Sequence, residues 1–188
     1  MNKTQKNILK TAKKEFLKYG FKNASLNEIV KKAGFTKGAF YGYYKNKEAL
    51  FNALVEETMD KFNKLFSYRE NTYCPIKYEN TICKLIGCSY IQIVEYIYKN
   101  FKNFTLVLSC ANGTKYSDFV HKLAKERIKN IEKTTYMDNV THHMVISRYF
   151  TSLFEIVLHN MDKEEAFKYA RNISDFYTEG LKSLHKNK

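Results

Sequence analysis

The chain has 188 residues, of which 44% are hydrophobic and 27% charged, and its net charge is +13. This apolar content is sufficient for a packed core and excludes general disorder, and no run of about 18 apolar residues indicates a transmembrane helix. The basic N-terminus lacks the apolar segment of a secretory signal, so we expect a cytoplasmic protein with no membrane partner. One proline and seven glycines favour long helices over frequent turns, which predicts an all-α fold of about nine helices.

The positive charge is concentrated in the first quarter of the chain. Residues 1–47 contain twelve lysines and two acidic residues, a net charge of +10, whereas residues 48–188 contain twenty basic and seventeen acidic residues. A general compositional bias toward lysine would not separate the charge in this way. A basic surface of this kind attracts the phosphate backbone of nucleic acids and makes binding dependent on salt.

The pattern of residues 25–44 predicts a helix-turn-helix motif. Ser25 precedes an apolar helical stripe and, with Glu28 three residues later, has the spacing of a capping box. Gly34 can adopt the positive φ of a turn, and Thr36 can cap the next helix. The second helix of such a motif can lie in the major groove of DNA.

The other helices are predicted from apolar residues that recur with a helical period. Asn46 is a plausible N-cap for the fourth helix, and Asp162 for the last. The last two helices are long and joined by a short turn, so they should pack antiparallel. The predicted helices cover approximately residues 3–19, 25–33, 36–43, 47–66, 75–100, 104–111, 119–131, 140–159 and 163–184.

The segment F-L-K-Y-G-F, followed by S-L-N-E-I-V-K-K-A-G-F-T-K-G-A-F-Y-G-Y-Y-K-N-K-E-A-L-F, resembles the tetracycline-repressor (TetR) family of bacterial transcriptional regulators. The resemblance covers approximately residues 3–62. It implies an all-α homodimer, with a three-helix DNA-binding headpiece and its connecting helix in residues 1–62. Residues 63–188 would form a larger helical domain that binds a small-molecule effector and dimerises. It further implies a repressor that releases a palindromic operator when the effector binds.

The resemblance also implies which residues contact DNA. Tyr41 and Lys47 match residues that are expected to reach phosphates, and Lys37 could bind either guanine or a phosphate. Three positions depart from the family pattern: Tyr43 stands where histidine is common, Tyr44 where phenylalanine is usual, and Gly42 where a larger side chain often reads the sequence. Of these, Tyr44 is expected to lie in the core. The predicted DNA contacts are Lys3, Lys6, Ser25, Leu26, Asn27, Thr36, Lys37, Gly38, Ala39, Tyr41, Gly42, Tyr43 and Lys47.

Aromatic and aliphatic side chains of the C-terminal part suit an apolar effector pocket, although such side chains are more often part of a core. The candidate pocket residues are Phe62, Ile86, Tyr90, Ile93, Phe104 and Phe119. The last two predicted helices could form a four-helix interface with a two-fold copy, with burial inside one chain as the alternative. The candidate interface residues are Phe150, Phe154, Tyr177 and Gly180.

Other kinds of function find little support in the sequence. There is no nucleophile–base pair, phosphate-binding glycine loop or metal-ligand spacing, so we predict no enzymatic activity, no cofactor and no metal. The adjacent His142 and His143 diverge on a helix and do not form a metal pair. The competing function is a structural DNA-binding protein of the same fold that has no inducer. The cysteines are interpreted as reduced, mostly buried thiols, with a redox sensor as the alternative: Cys74, Cys83, Cys88 and Cys110.

Overall fold

A computed structural model describes residues 3–67, 90–129 and 137–186, and every regular element within these ranges is an α-helix. The all-α prediction is therefore confirmed. Among the described helices, none combines the length and the apolar character needed to cross a membrane. The nine helices of the described ranges are α1 (Lys3–Asn23), α2 (Leu26–Lys32), α3 (Lys37–Tyr41), α4 (Lys47–Ser67), α5 (Tyr90–Lys99), α6 (Phe101–Ser109), α7 (Phe119–Lys129), α8 (Asn139–Leu158) and α9 (Lys163–Lys186).

Some predicted features lie outside the described residues. These are the first part of the predicted helix 75–100, the candidate pocket residue Ile86, and three of the four cysteines, Cys74, Cys83 and Cys88. Lys3 begins α1, but its side chain is not among those that the structure describes.

The chain divides into two compact units. The first consists of Met1–Asp60 together with Asn100–Ser117, and the second of Lys61–Lys99 together with Asp118–Lys188. The first unit therefore adds a segment from the middle of the chain to the N-terminal helices. The predicted domain boundary at residue 62 stays a prediction.

Short-range hydrogen bonds define the starts of α2 and α3. Ser25 Oγ accepts a hydrogen bond from the backbone N–H of Glu28 at 3.4 Å, and Thr36 Oγ1 accepts one from Ala39 N–H at 3.2 Å. Both predicted N-caps are therefore confirmed. Gly34, between the two helices, has a φ of 77°, a left-handed conformation that is strained for residues with a Cβ atom.

The end of α3 and the start of α4 also follow from local sequence. α3 ends at Tyr41, two residues earlier than predicted, with Gly42 as its C-cap, because glycine is a poor residue for continuing a helix. Asn46 Oδ1 accepts a hydrogen bond from the backbone N–H of Ala49 at 2.8 Å, which confirms Asn46 as the N-cap of α4.

The core of the first unit contains aromatic rings from α1, α4 and the segment after α6. Phe51 contacts Phe16, Phe21 and Tyr116, with centroid distances of 5.3, 5.5 and 6.4 Å. The backbone N–H of Phe21 donates to the carbonyl oxygen of Cys110 at 2.8 Å. The segment that follows α6 is therefore part of the packing around the end of α1.

A polar connection accompanies these apolar contacts. Lys13 Nζ donates to Asn103 Oδ1 at 2.6 Å, and Asn103 Nδ2 donates to Thr58 Oγ1 at 2.7 Å. Burial lowers the pKa of Lys13, with a smaller effect from Lys102. The side-chain amide of Asn103 therefore connects α1, α4 and α6, because its oxygen accepts from α1 and its nitrogen donates to α4.

The second unit packs α7 against α8, and α9 against both α5 and α8. Phe62, Phe119 and Phe154 form a ring cluster with centroid distances from 5.9 to 6.4 Å. Phe150 stacks on Phe154 at 6.2 Å, and both are buried. The broad apolar surface of α8 is therefore largely covered within this unit.

Aspartates cap the two long helices of the second unit. Asp162 Oδ1 accepts hydrogen bonds from the N–H groups of Glu164 and Glu165, each at 2.9 Å, as predicted for the start of α9. Asp138 caps α8 in the same way, through bonds from the N–H groups of residues 140 and 141.

Candidate nucleic-acid interface

α3 has one buried aromatic anchor and an otherwise exposed surface. Phe40 is fully buried, and its ring contacts those of Tyr41 and Tyr44 at centroid distances of 5.2 and 5.8 Å. Tyr44 is also buried, as predicted, whereas Tyr41 is 56% exposed. The predicted recognition residues that lie on the surface are Thr36, Lys37, Gly38, Ala39, Tyr41, Gly42 and Tyr43.

α2 contacts the core through its apolar side, and its polar residues lie on the opposite side. Ile29 and Val30 are buried, while Ser25 and Asn27 are exposed and Leu26 is half-buried. Because the buried pair fixes the rotation of α2 about its axis, Ser25 and Asn27 are held at the surface. Contact of these residues with DNA stays a prediction.

Lys47 contacts the turn that joins α1 to α2. Its Nζ donates to the carbonyl oxygens of Ala24 at 2.9 Å and Lys22 at 3.3 Å, and lies 4.6 Å from the ring centroid of Phe21. Burial lowers the pKa of Lys47. An ammonium group has three N–H donors, and two are directed at these carbonyls. Lys47 therefore holds the turn immediately before Ser25, and its contact with a phosphate stays a prediction.

An open groove of about 490 Å³ lies beside the turn between α2 and α3. Asn7 Nδ2 donates to the carbonyl oxygen of Ala33 at 2.9 Å, which connects α1 to this turn. Lys6, a predicted contact, lines the groove together with Lys10, which was not predicted. The two ammonium groups give the groove a positive charge. The complete lining is Thr4, Lys6, Asn7, Lys10, Ala33, Gly34 and Phe35.

One of the two acidic residues within residues 1–47 forms an ion pair with a lysine. Glu15 is buried, and its Oε1 accepts a hydrogen bond from Lys32 Nζ at 2.8 Å. This hydrogen bond raises the pKa of Lys32. A buried carboxylate requires such a partner, so Glu15 links α1 to α2 and does not place a negative charge on the exposed surface.

The predicted pocket residues are divided between the two units. Phe104 belongs to the first unit, and Phe62, Tyr90, Ile93 and Phe119 belong to the second. Phe62, Ile93 and Phe119 are buried, and Tyr90 is half-buried. Since the rings of Phe62 and Phe119 contact each other at 6.4 Å, these side chains contribute to a core, and the lining of an effector pocket stays a prediction.

The predicted dimer residues require a correction. Phe150 and Phe154 are buried within the second unit of a single chain, so the prediction that they form a surface for another copy is wrong. Their side of α8 is already covered by neighbouring helices. Tyr177 is half-buried and Gly180 exposed. Sequence reasoning missed Phe176, which is 72% exposed and lies one helical turn from Gly180.

Comparisons with known proteins bear on the N-terminal segment and on the fold. Residues 8–54 match the family described as bacterial regulatory proteins, tetR family. The chain is 45% identical over 62 residues to the HTH-type transcriptional regulator YdgC of Bacillus subtilis, which covers 33% of this chain and 32% of YdgC. It is 28% identical over 127 residues to YuxN of the same organism, which covers 67% of this chain and 41% of YuxN. These alignments therefore span less than half of either relative.

A solved structure extends the likeness beyond the N-terminal segment. A transcriptional regulator from Aquifex aeolicus has a TM-score of 0.60 to this protein, with 96% of this chain and 99% of that chain covered. At 21% identity this likeness establishes a shared fold.

The capped helix pair, the left-handed glycine between its helices and the exposed α3 define a helix-turn-helix protein. The segment that matches the family contains this entire motif. Within residues 8–54, the chain is therefore similar to the TetR family of bacterial regulatory proteins.

Proposed function

We propose that this protein is a DNA-binding transcriptional regulator that acts in the cytoplasm as a dimeric repressor. In this proposal it binds a palindromic operator and releases it when a small molecule binds. The observation that carries the proposal is the exposed surface of α3, which presents Lys37 and Tyr41 while Phe40 anchors the helix in the core.

Different residues would contact the bases and the phosphate backbone of DNA. α3 is narrow enough to enter the major groove, where Lys37 can donate to guanine O6 and N7. Lys6 and Lys10, in the groove beside the motif, supply positive charge for the phosphate backbone. The remaining donor of Lys47 can reach a phosphate as well. Phosphate contacts position the protein, and base contacts determine its specificity.

Exposed apolar side chains support the dimer. On α8, Val140, Met144 and Leu158 are exposed, and at about 100° per residue they lie on one side of the helix. On α9, Phe176 is exposed together with Gly180. Exposed apolar surface of this kind favours association, and a two-fold dimer would bind two half-sites of a palindrome.

Release by an effector draws support from the similarity of residues 8–54 to the TetR family. The effector must bind one state of the dimer more tightly than the other, because equal affinity for both states shifts nothing. A coupling of about 1–3 kcal/mol would change operator affinity roughly 5- to 150-fold. The aromatic residues of the second unit, among them Phe62 and Tyr90, are suited to an apolar effector.

Selection of bound DNA from a random pool, followed by fluorescence anisotropy over a range of salt concentrations, tests DNA recognition. We expect a recurrent two-fold symmetric sequence, salt-sensitive binding, and weaker binding by Lys37→Ala. The absence of an enriched sequence, or binding of Lys37→Ala equal to wild type, would contradict the proposed role of α3.

A thermal-shift screen with apolar and amphipathic compounds tests effector release. We expect a compound that raises the unfolding temperature and also lowers affinity for the selected DNA. A compound that stabilises the protein but leaves its DNA affinity unchanged would contradict release. If no compound has both effects, the inducer-independent structural DNA-binding protein is the better interpretation.

A further inference from the structure

Two histidines from neighbouring helices bring ring nitrogens together on the surface of the second unit. His143 Nε2 of α8 and His121 Nδ1 of α7 share a hydrogen bond of 2.9 Å, and the ring centroids are 4.4 Å apart with an interplanar angle of 70°. His121 is exposed and His143 half-buried. His143 is therefore paired with a histidine 22 positions earlier in the chain and not with the adjacent His142.

The two distances distinguish a bent arrangement from a linear one. Rings whose nitrogens pointed directly at each other across this gap would have centroids about 5 Å apart. The observed 4.4 Å is shorter, so the rings are inclined to each other. Two imidazoles bound to one ion at a right angle, each at about 2.0–2.1 Å, would have nitrogens about 2.9 Å apart and centroids about 4.5 Å apart. The observed pair matches both values.

We propose that His121 and His143 form a binding site for one divalent transition-metal ion, which would bridge α7 and α8. Right-angled coordination by nitrogen is typical of Cu²⁺ and Ni²⁺. Among the residues that the structure describes, no group of three His, Cys, Asp or Glu side chains could hold a metal. The two imidazoles would therefore supply the protein ligands, and water would occupy the other positions.

The surroundings of the pair have opposing effects on such an ion. Only the neutral form of an imidazole binds a metal ion, and Lys125 of α7 acts electrostatically on His143. The positive charge of Lys125 also opposes a cation, which favours an ion that forms strong bonds to nitrogen. Mg²⁺, which prefers oxygen ligands, should not bind here.

Isothermal titration of the untagged, chelator-treated full chain with Ni²⁺ tests the proposal. We expect one ion per chain and a rise in unfolding temperature with Ni²⁺ concentration, since binding to the folded state alone is stabilising. His121→Ala and His143→Ala should each weaken binding by at least about tenfold, because losing a direct ligand should matter no less than losing its supporting contacts. His159→Ala is the matched control, because His159 is an exposed histidine paired with Glu155 at the end of α8; it should bind as wild type does.

Several outcomes would overturn the proposal. It fails if the wild type takes up no stoichiometric Ni²⁺, if His121→Ala binds Ni²⁺ as tightly as the wild type, or if His159→Ala loses as much affinity as His121→Ala. His121→Gln, which changes only an exposed side chain, serves as the substitute if His143→Ala does not fold. Electron paramagnetic resonance of the Cu²⁺-loaded protein should show coupling to two imidazole nitrogens, and coupling to fewer would also contradict a bridging ion.

Discussion

Replacement of Lys47 by alanine should weaken both the folded state and DNA binding. The ammonium group of Lys47 donates to the carbonyl oxygens of Ala24 and Lys22 and lies against the ring of Phe21. These contacts join the start of α4 to the turn that leads into α2. Without them, the turn loses its attachment to α4, and α2 is held less firmly in position for DNA.

The expected loss of stability can be derived from these contacts. A hydrogen bond from a charged group contributes about 1.5–3 kcal/mol when well formed, and a cation–π contact about 0.5–1 kcal/mol at an exposed site. Lys47 is only partly buried and one of its bonds is long, at 3.3 Å, so solvent reduces the sum. We expect Lys47→Ala to lower the free energy of unfolding by about 2 kcal/mol.

Urea unfolding followed by circular dichroism measures the effect on stability, and anisotropy at several salt concentrations measures the effect on binding. If the third donor of Lys47 contacts a phosphate, the salt slope should fall by about 0.9 for each headpiece. Lys47→Met separates the charge from the packing of the stem, and Lys37→Ala is the control. Lys37 is exposed on α3, so its loss should change stability by less than about 0.5 kcal/mol. Wild-type stability in Lys47→Ala would refute the structural role, and an altered sequence preference with an unchanged salt slope would refute the phosphate contact.

Three further predictions follow from local geometry. Gly34 has a φ of 77°, and a Cβ atom there would meet nothing within 4 Å, so only backbone strain opposes a side chain. Gly34→Ala should therefore lower the free energy of unfolding by about 1–2 kcal/mol, and Gly34→Asn should lower it by less. Equal urea midpoints for the two variants would contradict this. Phe176→Glu should give folded monomers in analytical ultracentrifugation. Phe154→Ala should instead lower the free energy of unfolding by about 3–5 kcal/mol, because the side chain of Phe154 is buried. A stable, dimeric Phe176→Glu variant would contradict a dimer interface at Phe176. Burial raises the pKa of the Cys110 thiol, so its alkylation in the folded protein should stay slow as the pH rises past about 8.5, the ordinary value for a thiol. Peptide mass spectrometry measures that rate, and reaction at the rate of the unfolded chain would contradict it.

Features that depend on a few neighbouring residues could be predicted from the sequence. Ser25, Thr36 and Asp162 each accept hydrogen bonds from residues two or three positions later. Gly34 is likewise recognisable, because the conformation it adopts is disfavoured for most other residues. The helix-turn-helix pair is constructed from such signals, so its position was predicted to within a few residues.

Features that depend on packing between distant segments could not be predicted. Periodicity identifies an apolar stripe on a helix but does not say what covers it. It therefore does not distinguish the buried Phe150 from an interface residue, and it gives no sign that Phe176 is exposed. The pairing of His121 with His143 spans 22 positions and requires α7 and α8 to lie side by side. The hydrogen bond between Phe21 and Cys110 joins residues that are still farther apart in the sequence, and no pattern of neighbouring residues predicts it.

That last bond limits how TetR-type headpieces of this kind can be exchanged between regulators. A chimaera cut once, after α4, would carry the N-terminal helices without the carbonyl of Cys110 and the amide of Asn103, both of which contact α1. In α1 of this chimaera, the backbone N–H of Phe21 and the ammonium group of Lys13 would both lose their acceptors. A working transplant needs further junctions, near residues 100 and 117, so that the interrupted unit travels complete.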